Sequence, residues 1–169
     1  RKEIKDVLAY VRLTVNPRDD EALRRVINYP RRGIGKTTLD KLAAYAREKQ
    51  ISMWHALVEV APGVRSRKQM EEFIELIKLL RQKNQMSNAY ETVLFIVNKT
   101  GIYEHLRADN SIEGISRLEN INALMDGVKD FVEQDEVIED EFTSMDRSLS
   151  GWLQNVALLT DLDNDPEEK

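Results

Sequence analysis

The most informative absence in this sequence is cysteine, because none of the 169 residues is one. The chain therefore forms no disulfide and holds no metal through thiolates, which fits a reducing compartment. The two histidines, His55 and His105, lie far apart and have no neighbours at metal-ligand spacing. No apolar run approaches the roughly 20 residues of a membrane-spanning helix. We therefore expect a cytoplasmic protein with no membrane partner, no metal site and no catalytic residue.

Glycine and proline are also scarce, with seven and four residues. Apolar residues recur at helical spacing along the chain, and no sustained two-residue alternation interrupts them. The pattern predicts an all-α, irregular multi-helix domain over residues 1–169. The predicted helices are one that Pro17 closes, one capped by Asp19 or Asp20, Thr37–Lys49, Ser52–Val60, Ser66–Lys83, one ending near Gly101, Ile112–Glu133 and Leu149–Leu159.

Charge is distributed unevenly along the chain. Residues 1–49 carry 13 lysines and arginines against 7 acidic residues, whereas residues 110–169 carry 4 against 16. The basic first third suits an anionic partner, although a solvated helix surface explains it about as well. Residues 133–147 and 161–169 are acidic and poor in apolar side chains, so we expect mobile segments there. Because the chain begins at Arg1 and ends in an acidic tail, we expect it to be a fragment of a longer protein.

The stretch Tyr29–Thr38 permits two incompatible interpretations. Its end, Gly35-Lys36-Thr37, matches the end of a phosphate-binding P-loop, which has the form GxxxxGKS/T and follows a β-strand. Here Pro30 occupies the place of the first glycine, and the preceding residues have helical spacing. Both departures disfavour a nucleotide-binding site.

The second interpretation is a turn between two short helices, as in a helix-hairpin-helix. Glycine permits the tight connection at Gly33 and Gly35, and the Ile34 side chain can fill the space between the helices. Backbone amides at the start of the following helix attract an anion such as a DNA phosphate. The alternative is a helix hairpin that packs and binds nothing. The candidate DNA-binding residues are Arg31, Arg32, Gly33, Ile34, Gly35, Lys36, Thr37 and Thr38.

Several segments in the same order carry a family resemblance. The opening Arg1–Leu13, the turn Asn28–Gly35 with Thr37-Thr38, the stretch Ser116–Ile121 and the end Leu153–Asp163 resemble the 2B domain of UvrD/PcrA/Rep-type superfamily 1 DNA helicases. The PcrA branch is the most similar. In that family the turn contacts duplex DNA, and the resemblance carries this role to Gly33, Ile34, Gly35, Thr37 and Thr38. The contact of Lys36 is inferred from its charge, because relatives vary at this position.

The resemblance implies a non-catalytic duplex-DNA-binding and regulatory domain inserted in a motor domain of an ATP-dependent 3′–5′ DNA helicase. ATP and magnesium would then bind the motor domains of the parent protein, and this fragment would bind neither. The implied partners are duplex DNA, the other domains of the parent helicase and DNA-repair proteins. A second hypothesis is that the same domain is a protein-interaction or autoinhibitory module with little affinity for DNA.

Overall fold

The computed structural model describes residues 1–60, 65–134 and 146–163, with side chains up to residue 158. Within these ranges the chain forms nine helices and no strand. The predicted all-α fold class is confirmed. None of the described helices is long and apolar enough to span a membrane. The helices are α1 (Lys2–Val15), α2 (Asp20–Val26), α3 (Lys36–Lys49), α4 (Met53–Val60), α5 (Arg67–Met86), α6 (Ala89–Lys99), α7 (Ile102–Arg107), α8 (Ile112–Glu133) and α9 (Leu149–Asp163).

Three helices differ from the sequence prediction, among them α5, which ends at Met86 and not at the predicted Lys83. Helix α7 was not predicted, because its six residues are too few to show an amphipathic period. Helix α9 extends to Asp163, four residues beyond the predicted end. It therefore includes the first part of the predicted acidic segment 161–169. Residues 135–145 and 164–169, which hold most of the two predicted mobile segments, lie outside the described residues.

Helix α1 is the centre of the domain. Five of its residues are fully buried and point to more than one side of the helix: Val7, Ala9, Tyr10, Val11 and Leu13. A helix that is apolar on several sides must be covered on all of them. Helices α2, α5, α6, α8 and α9 each pack against α1 and provide that cover.

Helix α3 lies at the edge of this arrangement. Its principal neighbour is α4, which in turn packs against α2 and α5. Three residues of α3 are buried, Leu42, Ala43 and Ala46, and they lie on one side of the helix. The opposite side and the amino end of α3 face solvent. The turn that precedes α3 is therefore attached to the core on one side and open on the other.

Candidate nucleic-acid interface

The turn between α2 and α3 spans residues 27–35 and follows a helix. Helix α2 begins at its N-cap Asp19, whose carboxylate accepts a hydrogen bond of 3.0 Å from the Ala22 amide, and it ends at Val26. The next helix begins at Lys36. A P-loop would require a strand before the turn, and the described residues place a helix there instead. The nucleotide-site interpretation therefore lacks its structural context.

One side of the turn is fixed by hydrogen bonds within the turn itself. The Asn28 side-chain oxygen accepts from the Arg32 amide at 2.8 Å and from the Ile34 amide at 3.2 Å. Ile34 is 1% exposed and belongs to the core, as a residue that packs beneath the turn would. Because this value is for the whole residue, neither the side chain nor the backbone of Ile34 is open to a ligand. Asparagine commonly binds nearby amides in this way, and this signal at Asn28 was missed in the sequence.

Arg32 also points into the protein. Its Nη1 donates to the carbonyls of Val26, Ile27 and Tyr29 at 2.7, 3.2 and 3.0 Å. Its Nη2 donates to the Tyr10 hydroxyl, which is part of α1. Both terminal nitrogens of Arg32 therefore bind acceptors of the chain, which gives this predicted DNA-binding residue a second role within the protein.

Two aromatic rings complete the surroundings of the Arg32 guanidinium. It lies 5.7 Å from the centre of the Tyr10 ring and 5.2 Å from the centre of the Phe73 ring. Guanidinium groups bind favourably over aromatic faces at such distances. Burial raises the pKa of Tyr10 to about 12, so this phenol stays protonated at neutral pH.

Gly33 has a backbone conformation that the turn imposes. Its φ is +80°, in the region that side chains with a Cβ rarely adopt. A Cβ at this position would lie 3.6 Å from the Gln69 side chain, so the first turn of α5 is the direct neighbour of Gly33. Lys68, adjacent to Gln69, is exposed. This lysine is a candidate site residue that the sequence prediction missed, because the contact joins positions distant in the chain.

Gly35 differs from Gly33 in its backbone conformation and in the space around it. Its φ of −79° and ψ of 172° are ordinary extended values that any residue adopts. A Cβ at Gly35 would meet nothing within 4 Å. The fold therefore does not require glycine here, and the space in front of this backbone is open to a ligand.

The backbone amides after Gly35 begin a helix without a capping side chain. The first intrahelical bond runs from the Leu39 amide to the Gly35 carbonyl at 3.1 Å. The preceding amides of Lys36, Thr37 and Thr38 therefore have no acceptor within the helix. No side chain caps this end and no acidic residue lies in its first turn. Such an end carries partial positive charge that attracts an anion.

The two sides of the turn thus have different surroundings. We call Asn28, Arg32, Gly33 and Ile34 the inner side, and Arg31, Gly35, Lys36 and Thr37 the outer side. All four outer residues are exposed, and Thr38 is half-buried next to them. In the described part of the chain, neither Arg31 nor Lys36 forms an ion pair. The outer side therefore combines open backbone, hydroxyl donors and free positive charge, which suits a phosphate group.

The far edge of the turn rests on α7. The Tyr29 ring packs edge-on against the His105 ring, with 5.7 Å between their centres. The Lys2 ammonium lies 4.4 Å from the centre of the Tyr29 ring. Burial raises the pKa of Tyr29 above its ordinary value. Helices α1, α5 and α7 therefore hold the turn from three directions.

Comparison with known proteins identifies the family. The model of the UvrD-like helicase C-terminal domain matches residues 1–169. The chain is 36% identical over 166 residues to the ATP-dependent DNA helicase PcrA of Bacillus subtilis, covering 96% of the chain and 21% of that protein. It is 37% identical to the ATP-dependent DNA helicase PcrA of Staphylococcus aureus, covering 96% of the chain and 22% of that protein.

The same identity, 37% over 166 residues, relates the chain to the ATP-dependent DNA helicase PcrA of Staphylococcus epidermidis. The chain spans about a fifth of the length of these curated relatives. Because the family model covers every residue, the chain belongs to the UvrD-like helicase C-terminal domain family.

Proposed function

We propose that this chain is the 2B domain of a PcrA-like helicase and binds duplex DNA through the backbone phosphates, without sequence specificity. The main support for the proposal is the open space in front of the Gly35 backbone. The Gly35 backbone and its surroundings would accept a side chain, yet the position has none. A phosphate that approaches the amides of Lys36 and Thr37 needs that free space. Gly33, in contrast, is explained by the fold alone.

The proposed contact combines three kinds of group. The amides of Lys36, Thr37 and Thr38 donate to the phosphate oxygens at the amino end of α3. Arg31, Lys36 and Lys68 supply positive charge, and the Thr37 hydroxyl is a further donor. Since these groups address the phosphate and not the base edges, binding is independent of sequence.

In this proposal the domain does no chemistry. The relatives are named ATP-dependent DNA helicases, and the chain covers about a fifth of each. ATP and magnesium are accordingly assigned to motor domains of the parent protein, and the domain holds and orients the duplex for them. In this proposal the acidic residues on α8 face away from the DNA or toward partner domains.

The test replaces Gly35 with aspartate. Aspartate is a favourable N-cap residue and interacts well with the helix dipole, so Gly35→Asp keeps or raises the stability of α3. Its carboxylate, however, occupies the phosphate position and repels it. Loss of one hydrogen bond to a charged group costs about 1.5–3 kcal/mol, so duplex affinity falls about tenfold or more. Fluorescence anisotropy of a labelled duplex, titrated at several salt concentrations, measures it.

Asn110→Asp is the matched control, because it adds the same charge at an exposed position outside the turn. We expect wild-type duplex affinity from it. For the wild-type chain we expect weak binding in the non-specific range of about 10⁻⁴–10⁻⁶ M, with a clear dependence on salt. No binding at low salt, or equal affinities of Gly35→Asp and wild type, would refute the proposal.

A protein-interaction or autoinhibitory role is the second candidate. Two apolar residues at the start of α8, Ile112 and Ile115, are 88% and 52% exposed. Exposed apolar side chains that lie close together are typical of surfaces that another protein covers. Two results together would favour this role. The chain would bind the remaining helicase domains but not duplex DNA, and the double variant Ile112→Ser, Ile115→Ser would no longer bind those domains.

A further inference from the structure

We propose that Arg32 is a positioning residue: it fixes the inner side of the turn so that the outer side presents its amides to phosphate. This inference rests on the proposed function. Arg32 is adjacent to Gly33, and its own amide is held by Asn28 at 2.8 Å. Both ends of the residue are therefore engaged within the protein.

The guanidinium connects the end of α2 and the turn that follows it to α1 and α5. Its Nη1 binds carbonyls at and after the carboxyl end of α2, where helical carbonyls have no intrahelical partner. Its Nη2 binds Tyr10 of α1, and its plane lies over Phe73 of α5. The Tyr10 hydroxyl donates in turn to the Val26 and Tyr29 carbonyls, so the guanidinium and the phenol form one network at the turn. Moving the guanidinium toward DNA would leave the Ile27 carbonyl and the Tyr10 oxygen without the donor that they have here. The geometry therefore keeps Arg32 inside and ties the turn to the core.

Lysine cannot replace these contacts. Arginine has a planar group with five donors in a fixed fork, whereas lysine has a single nitrogen that acts as a point charge. Arg32→Lys thus keeps the positive charge and loses the connection among α1, α2 and α5. If Arg32 positions the turn, Arg32→Lys weakens duplex binding. If Arg32 is a charge contact with phosphate, Arg32→Lys binds duplex like the wild type.

The neighbouring Arg31 is a matched comparison. It has the same side chain one position earlier, is exposed, and has no ion pair in the described part of the chain. We assign to it a charge contact with phosphate. For such a contact, Arg31→Lys binds duplex like the wild type, and Arg31→Gln lowers the slope of log K against log salt by about 0.9.

Arg81 is the control for a purely structural loss. Its Nη1 donates to the Thr14 carbonyl at 2.8 Å and the Val15 carbonyl at 3.4 Å, at the carboxyl end of α1. This is the same kind of contact that Arg32 makes, between other elements and away from the turn. Arg81→Lys lowers the thermal stability of the chain and leaves duplex affinity unchanged.

The experiment measures duplex affinity, its salt slope and thermal unfolding for the wild type and these variants, at a temperature where every variant is folded. We expect Arg32→Lys and Arg32→Gln to weaken duplex binding by the same factor, roughly tenfold, which corresponds to the loss of one buried hydrogen-bonded group. Arg32→Lys with wild-type affinity, together with Arg32→Gln showing a lowered slope, would overturn the inference and make Arg32 a charge contact.

Tyr10→Phe is a milder variant, in case the Arg32 variants do not fold. It removes one partner of the guanidinium, together with the hydrogen bonds that the Tyr10 hydroxyl donates to the Val26 and Tyr29 carbonyls, and leaves every charge in place. We expect a few-fold loss of duplex affinity, the size of a typical single hydrogen bond, and unchanged affinity would count against positioning. Absence of duplex binding by the wild-type chain would instead refute the proposed function itself, which separates the two failures.

Discussion

The inner and outer sides of the turn place the same residue types in different physical situations. Arg31 and Arg32 are neighbours, but the first is exposed while the second binds three carbonyls and a phenol. Gly33 and Gly35 are two residues apart, but the first has a φ of +80° and the second an ordinary backbone with open space around it. The fold explains the residues of the inner side, and the proposed phosphate contact would explain those of the outer side.

The two sides of the turn are thus expected to contribute differently, the inner side to stability and the outer side to DNA binding. Replacing an inner residue should reduce the stability of the fold, because the turn loses its support. DNA binding should weaken as a consequence of that loss. Replacing an outer residue should reduce DNA binding and leave stability unchanged. The four predictions that follow test this division, and their expected effects decrease in size.

The largest effect is expected from Ile34 on the inner side. Truncating a buried isoleucine leaves a cavity, and Ile34→Ala should lower the free energy of unfolding by about 2–5 kcal/mol, against about 0.5–1.5 kcal/mol for Ile34→Val. Urea unfolding followed by circular dichroism measures both. A loss below about 1 kcal/mol for Ile34→Ala would mean that the inner side is not packed as described.

Tyr10 should make stability depend on alkaline pH. Burial raises its pKa from the ordinary 10.0 to about 12, so the folded state favours the protonated phenol. That stabilisation is fully present below pH 10 and is lost as pH rises through 12. With about 1.36 kcal/mol for each pKa unit, the loss from this residue is on the order of 2–3 kcal/mol. Urea unfolding of wild type and Tyr10→Phe at several pH values isolates the contribution of this residue. If the free energy of unfolding falls equally with pH in both proteins above pH 10, the prediction is contradicted.

The two glycines should respond in opposite ways. Gly33→Ala places a Cβ in a left-handed conformation, which costs about 1–2 kcal/mol of stability. Gly35→Ser supplies a favourable N-cap and keeps stability within about 0.5 kcal/mol, but fills the space in front of the amides. Thermal unfolding and duplex anisotropy on both variants give the comparison. Equal stability losses at the two positions would remove the distinction between inner and outer glycine.

The smallest effect is expected from Lys36 on the outer side. Lys36→Gln removes one charge contact, so the salt slope of duplex binding should fall by about 0.9 with no change in stability. Lys129→Gln is the control, because it removes the same charge from an exposed position on α8. A slope that falls equally in both variants would show that net charge, not position, controls binding.

The helical elements could be predicted with good accuracy from residue spacing. Helix α8 was predicted at its observed bounds, and α3 within one residue, because apolar residues at helical spacing mark the buried side of each. Helix α7 was missed, although the turn depends on it through His105 and Tyr29. Six residues cannot show a period, and packing against α6 and α8 stabilises this helix instead.

The turn itself was located by its glycines, but its two sides could not be told apart. A sequence shows Arg31 and Arg32 as equivalent cations, since their difference depends on the position of Tyr10 and Phe73. Gln69, the neighbour of Lys68, could not be associated with Gly33, because the two residues are distant in the chain and meet through the packing of α5. The predicted DNA contacts at all eight residues from Arg31 to Thr38 remain predictions.

Local chemistry was enough to determine the all-α class, the approximate bounds of the longer helices and the position of the glycine turn. These features depend on the spacing of apolar residues and on the conformations that proline and glycine allow, both of which are written in adjacent residues. The direction of each side chain at the turn was decided by long-range packing around α1. Acceptors from α1 and α2 surround Arg32 and leave Arg31 in solvent, and no local pattern contains that information.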